Sequence, residues 1–158
     1  MKVEDAMSKQ VATVLAGEAV RDAALLMDRE DRGSLFVLAE DGSGRVEGVL
    51  TDRDIGLAVA THERGIGELQ VRALMSADAH VCHPSDDLRR ALEIIESCGR
   101  RRLPVVDEAG HILGAITLTD ITRVVTRSGE AGVSASDVCR ALVACSSRRR
   151  DPEHRLLG

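Results

Sequence analysis

The chain repeats itself. Shifted by 68 positions, Val3 falls on Val71, Met7-Ser8 on Met75-Ser76, Arg21 on Arg89 and Ala23 on Ala91; past a two-residue insertion near Ser43-Gly44 the offset becomes 66. There Gly48, Thr51, Asp54 and Ile55 fall on Gly114, Thr117, Asp120 and Ile121, so Gly-x-x-Thr-x-x-Asp-Ile occurs twice. A unit of about 55 residues is small for burying its own apolar faces, and two copies packed on each other with a cleft between them are expected. The predicted units are 1–64 and 71–128, followed by a C-terminal helix and polar tail over 129–158.

Each copy reads as β-α-β-β-α. Thr13-Val14 and Val81-Cys82 are short extended pieces. Val20, Ala23, Ala24 and Met27 then recur at helical spacing, matched by Leu88, Ala91, Leu92 and Ile95 behind the start signal Pro84-Ser85-Asp86. Leu35 to Leu38 and Leu103 to Val106 suit interior strands, each closed by a turn holding Gly42 or Gly110. Strands Val46 to Leu50 and Ile112 to Ile116 return from those turns, and each leads at its threonine into a second helix. Beyond the repeats, Ser134 or Ser136 is placed to cap a helix whose apolar stripe is Val138, Ala141, Leu142 and Cys145, followed by a polar tail with Arg148, Arg149 and Arg150.

The order of elements, the duplicated Gly-x-x-Thr-x-x-Asp-Ile and the run Arg101-Arg102-Leu103-Pro104-Val105-Val106 together resemble a tandem pair of CBS (cystathionine-β-synthase) domains, a Bateman module, over roughly residues 3 to 127. The whole chain is similar to the small stand-alone CBS-pair proteins of bacteria. The resemblance implies an α+β fold in which the two repeats pack with pseudo-twofold symmetry and leave two clefts, where many members bind adenosine-containing ligands. It implies a homodimer joined through the helical surface, for which Leu57, Val59, Val124 and Val125 are the candidate apolar positions.

Thr-x-x-Asp at a strand-to-helix junction is in the first place a capping box, in which the hydroxyl and the carboxylate each satisfy one free amide at the helix start. A carboxylate there can also accept both hydrogen bonds of a ribose diol, and the helix start favours an anion nearby. The resemblance gives Asp54 and Asp120 the ribose and puts Thr51 and Thr117 near ribose or phosphate. It completes a main cleft at Asp54 with Val81, Cys82 and His83 around the base and Arg101, Arg102, Leu103 and Pro104 toward the phosphates. A second, weaker cleft at Asp120 receives Thr13, Val14, Ser34, Leu35 and Phe36, with no cation at the matching phosphate position. Guanidinium groups suit phosphate because they stay charged and bind oxygens in pairs; the plain alternative for Arg100 to Arg102 is a solvated stretch leading into a strand.

Composition closes off other classes. The chain has 158 residues, 44% apolar and 30% charged, with one Phe, no Trp, no Tyr and a net charge of -5, which argues against stacking on nucleic acid. The first residues lack the apolar run of a signal peptide and no stretch approaches a membrane span, so a cytoplasmic protein is expected. His80 and Cys82 alternate onto the face opposite His83, and a zinc site would need Cys98 or Cys139 from elsewhere, so no metal is expected. No Ser-His-Asp spacing, glycine-rich phosphate loop or paired carboxylates point to an enzyme. The reading is a regulatory module with no required cofactor, sensing AMP, ADP, ATP, NAD or S-adenosylmethionine for a downstream protein; the alternative is a ligand-free structural or stress-response dimer acting through its surface or cysteines.

Overall fold

The computed structural model describes residues 1–61, 65–77, 79–128 and 132–147. The first copy contains β1 (Thr13–Leu15), α1 (Val20–Arg29), β2 (Ser34–Leu38), β3 (Val46–Thr51) and α2 (Asp52–Thr61). The second contains α3 (Leu88–Cys98), β4 (Arg102–Val106), β5 (Ile112–Thr117) and α4 (Leu118–Ser128), and α5 (Ala135–Ser147) follows. The fold is α+β. β2 lies between parallel β1 and antiparallel β3. The counterpart of β1 in the second copy is reduced to one parallel bridge, Cys82 to Val105, beside the antiparallel pair β4 and β5.

Matching sequence gives matching local structure. α1 buries Val20, Ala23 and Met27, and α3 buries Leu88, Ala91, Leu92 and Ile95, the faces their spacing predicts. Each fully buried aliphatic side chain contributes roughly 1.5–3 kcal/mol of transfer free energy. Both helices stop at a left-handed residue in the same place, Asp31 (φ 49) and Gly99 (φ 66); glycine takes that conformation freely, and aspartate is among the few others that tolerate it. The register of the two hairpins also matches, with Ser34 opposite Thr51 and Arg102 opposite Thr117.

The packed cores do not follow the sequence copies. Val3, Ala6 and Met7, from the start of the first copy, pack with Leu88, Leu92, Leu103 and Ile116 of the second. Reciprocally, Val71, Leu69, Leu74 and Met75 pack with Val20, Leu35 and Leu50 of the first. The backbone repeats the exchange: Ser8 N donates to Ala115 O and Ala115 N to Ser8 O, both at 2.9 Å, while Ser76 N donates to Val49 O at 2.9 Å and Val49 N to Ser76 O at 3.0 Å. The hairpin tips meet as well, Val46 N donating to Gly110 O and Ile112 N to Gly44 O, each at 3.0 Å. Phe36, Val49 and Ala115, with Val11 and Ile112 against them, form a small apolar cluster shared by both copies. These reciprocal contacts give the pair its near-twofold relation.

The glycines of the duplicated motif serve this exchange. A Cβ on Gly48 would stand 2.6 Å from Ser76 O, and one on Gly114 would stand 2.6 Å from Ser8 O. At both glycines it is the crossing chain segment of the other copy that makes the close approach.

α5 covers only one side of the molecule. Val133, Val138, Ala141 and Cys145 pack into the core of the second unit with Val124 and Val125, whereas Leu142 of the predicted stripe is 45% exposed. The helix starts with a full capping box: Ser134 N donates to Asp137 Oδ2 at 2.8 Å and Asp137 N to Ser134 Oγ at 3.2 Å, so Ser134 is the cap. Those bonds, with Arg140 at 2.7 Å, hold the Asp137 carboxyl well below the usual range, and Arg89 donates to Gly132 O at 2.6 Å to tie α3 to the approach of α5. Leu57 and Val59 are exposed on α2, whereas Val124 and Val125 are partly covered by packing against the core of the second unit. The arginine tail from 148 lies outside the described residues. Among the described residues no helix is long and apolar enough to cross a membrane.

Gly114→Ala should lower stability by about 1–3 kcal/mol, because the new methyl meets the backbone oxygen of Ser8, which is held in place by its hydrogen bond from Ala115 N. Gly56→Ala, in α2 with nothing within 4 Å of the added Cβ, should raise it by roughly 0.4–1 kcal/mol. Chemical denaturation of the two variants checks both signs.

Candidate functional site

Both Thr-x-x-Asp motifs form the capping box that their spacing allows. Thr51 N donates to Asp54 Oδ2 at 2.9 Å, Thr51 Oγ1 donates to the same oxygen at 2.6 Å, and Asp54 N donates to Thr51 Oγ1 at 3.2 Å. Thr117 and Asp120 repeat the set at 3.0, 2.6 and 3.1 Å. In each box one carboxylate oxygen is used twice and the other is left for a further partner. On Asp120 that oxygen, Oδ1, accepts from Arg123 at 3.3 Å, and a carboxylate has acceptor capacity beyond this one bond.

A cavity of about 700 Å³ opens between the two units at Asp120. The first copy lines it with Ser8, Arg32, Ser34, Phe36, Val49 and Thr51. The second contributes Gly99 through Arg102, then Thr117, Thr119, Asp120 and Arg123. Its floor is apolar, from Phe36 and Val49 of the shared cluster. Its wall is cationic, with five arginines to one carboxylate among the described lining residues.

Strand register explains where the arginines stand. Arg102 is paired with Thr117 across the β4–β5 hairpin, and Leu118 N donates to Arg101 O at 2.9 Å. Both arginines are thereby fixed beside the Thr117–Asp120 box of their own hairpin, whereas the sequence reading set them toward Asp54. Arg32 supplies the cation that reading lacked opposite Asp120, and at the offset of 68 it falls on Arg100. The signal was present in the sequence, two residues ahead of Ser34.

The charges are unevenly compensated. Burial, and then the positive charge of Arg32, hold the Arg102 pKa below its ordinary value, while Asp120 acts in the opposite direction. The Arg32 Nε is buried with no hydrogen-bond partner among the described residues. Two guanidinium groups thus line one cavity close enough for the charge of Arg32 to weigh on Arg102, and the Asp120 carboxylate there is already engaged by Arg123.

The other sequence candidates lie elsewhere. Asp54 is not among the residues lining the cavity, though Thr51 is. Cys82, Leu103, Pro104, Val14 and Leu35 are buried, and burial, reinforced by the charge of Asp86, pushes the Cys82 thiol up to about 12. Thr13 and Val81 are half-buried outside the cavity lining. His83 lines a separate hollow of about 500 Å³ with Glu4, Asp86, Asp107 and Glu108, a setting that repels phosphate. The cavity therefore unites Thr51, Arg101 and Arg102 of the first predicted set with Ser34, Phe36, Thr117 and Asp120 of the second. Among the described residues no group of three or more His, Cys, Asp or Glu side chains is placed to hold a metal ion.

Comparison with known proteins agrees with this architecture. The CBS domain family matches residues 3–60 and again 71–127, and the chain belongs to that family as a tandem pair. The CBS domain-containing protein YhcV of Bacillus subtilis is 34% identical over 119 residues, 75% of this chain and 81% of its own length. Among solved structures, the CBS domain protein TA0289 of Thermoplasma acidophilum superposes with a TM-score of 0.77 at 24% identity, covering 93% of this chain and 77% of that one. The CBS domain pair of protein MJ0100, solved in complex with 5'-methylthioadenosine and S-adenosyl-L-methionine, has a TM-score of 0.69 at 21% identity and covers 80% and 96%. Similarity also extends to archaeal homoserine O-acetyltransferases, of which this chain spans about a quarter, 23% in that of Methanocorpusculum labreanum.

Thr51→Val and Thr117→Val each remove a cap hydroxyl and should each cost about 1 kcal/mol. Denaturation midpoints of the two variants measure this independently of any ligand.

Proposed function

We propose that the protein is a regulatory module, not an enzyme, that binds an adenine nucleotide in the cavity between its two units and passes the change in their packing to a partner protein. Asp120 and Thr117 receive the ribose, Phe36 and Val49 support the base, and Arg32, Arg101 and Arg102 receive the phosphates. The observation that carries this reading is the pair Arg32 and Arg102, which line one cavity with the charge of Arg32 weighing on Arg102, while the Asp120 carboxylate there is already bonded to Thr117 and Arg123. A bound phosphate relieves their repulsion and supplies the paired oxygens that guanidinium groups bind best. Adenosine as the nucleoside is supported by the family and by the adenosyl compounds bound to the MJ0100 pair.

The same cationic wall ranks the candidates. A sulfonium such as S-adenosylmethionine carries positive charge into a cavity with five arginines, whereas AMP, ADP, ATP and NAD carry phosphate. We therefore place Asp120 ahead of Asp54 and phosphorylated ligands ahead of S-adenosylmethionine. A homodimer remains part of the proposal, with exposed Leu25, Leu57 and Val59 on the first unit as its support. Ligand binding at a junction of two units can act on a partner because it favours one relative packing over another.

Isothermal titration with ATP, ADP, AMP, NAD and S-adenosylmethionine tests the reading. Arg32→Ala, Arg102→Ala and Asp120→Ala should each weaken binding of the phosphorylated ligand by roughly ten- to a hundredfold, the worth of a lost charge-assisted hydrogen bond. The arginine effects should shrink at high salt, and Asp54→Ala should bind like the parent once shown to be folded. Binding lost in Asp54→Ala and kept in Asp120→Ala would move the site to the other motif. No binding by the parent at millimolar ligand would leave the ligand-free dimer as the better reading.

A further inference from the structure

The helix that follows the two repeats brings two thiols together from distant parts of the chain. Cys98 is the last residue of α3, and Cys145 lies two residues before the end of α5. Their sulfurs address the same backbone oxygen, Cys98 Sγ at 3.8 Å and Cys145 Sγ at 3.9 Å from Ile95 O. Both side chains pack against the core of the second unit, and both residues are half-buried, within reach of a small solute. Burial, and then the proximity of Cys98, raise the Cys145 pKa, while Arg101 acts in the opposite direction and so lies close to the same thiol. All four cysteines are present as thiols; Cys82 is wholly buried and Cys139 is exposed.

We propose that Cys98 and Cys145 are a dithiol modification site that closes to a reversible disulfide with a peroxide as oxidant, fastening α5 to the end of α3. The ionised sulfur of one cysteine attacks a peroxide oxygen, the O–O bond breaks, and a sulfenic acid forms as the first water leaves. The second sulfur then displaces the sulfenic oxygen as the second water and completes the S–S bond. Two thiols and one hydrogen peroxide thus become one disulfide and two waters, the two electrons passing from sulfur to oxygen. A disulfide requires Cα atoms within about 4.4–6.8 Å, so the bond would hold the last residue of α3 directly against the last turn of α5.

The bond has a consequence at the cavity. Cys98 is followed directly by Gly99, Arg100, Arg101 and Arg102, all of which line it. Oxidation would therefore anchor the start of the arginine-bearing segment to α5. The disulfide itself stands without any ligand at that cavity, and its test does not depend on one.

The full chain is treated with hydrogen peroxide under native conditions, the remaining thiols are blocked, and the protein is digested with trypsin. The expected product links the peptide 91–100, which holds Cys98, to the peptide 141–148, which holds Cys145. Titratable thiols should fall from four to two and return to four with dithiothreitol. Cys98→Ser and Cys145→Ser should each abolish the link, whereas Cys139→Ser should leave it intact. A disulfide through Cys82 or Cys139, or thiol loss only as oxygen adducts without the 91–100 to 141–148 link, would overturn the proposal. The peptide map of the parent protein decides this even if a variant fails to fold.

Discussion

The structure depends on a close crossing of backbones. Ser8 lies on Ala115 and Ser76 lies on Val49, each pair exchanging two hydrogen bonds, and both crossings need a residue without a side chain next to them. Gly114 and Gly48 supply that space. Once the start of each copy is held against the other copy's hairpin, the apolar residues that travel with it, Val3 and Met7 or Val71 and Met75, fill the opposite core. Neither copy then has a complete core of its own. The cleft between the units is a by-product of this exchange, since its floor, Phe36 and Val49, belongs to the cluster formed where the sheets meet.

Near symmetry at the level of backbone coexists with asymmetry of charge. The two capping boxes are almost superposable in their bond lengths, yet only Asp120 has an arginine one turn on, because Arg123 corresponds to Leu57 at the offset of 66. Likewise Arg102 and Ser34 occupy the same register position opposite a motif threonine. Small differences at equivalent positions of a duplicated scaffold thus decide which carboxylate faces a cationic wall. In a partly buried cavity such charges are weakly screened, so each weighs more than it would on an open surface.

α5 adds a second asymmetry. By packing on α3 and α4 it covers part of Val124 and Val125, while α1 and α2 keep Leu25, Leu57 and Val59 outward. It is held by polar contacts at its start, through Ser134, Asp137 and Arg89, and by apolar contacts along its length. The same docking carries Cys145 to Cys98 and places both beside the segment that leads into β4.

Much of this was legible without coordinates. The order of elements, the buried faces of α1 and α3, the interior strands β2 and β4 and the capping boxes all follow from local periodicity and spacing, which depend on residues close in the chain. A start of α5 at Ser134 or Ser136 was legible for the same reason, and the capping bonds of the structure select Ser134. What the sequence left undecided concerns relations between distant segments. The repeat was visible, but not that each copy lends its first residues to the other. Arg101 and Arg102 were visible as cations, but only cross-strand register set Arg102 beside Thr117 and so beside Asp120. Arg32 was visible as the counterpart of Arg100, but only the meeting of the two copies set it in one cavity with Arg102. Cys98 and Cys145 were two separate thiols until helix packing brought both onto one carbonyl. Local spacing is fixed by the backbone's few allowed conformations, whereas these meetings are fixed by how the whole set of apolar faces is buried at once.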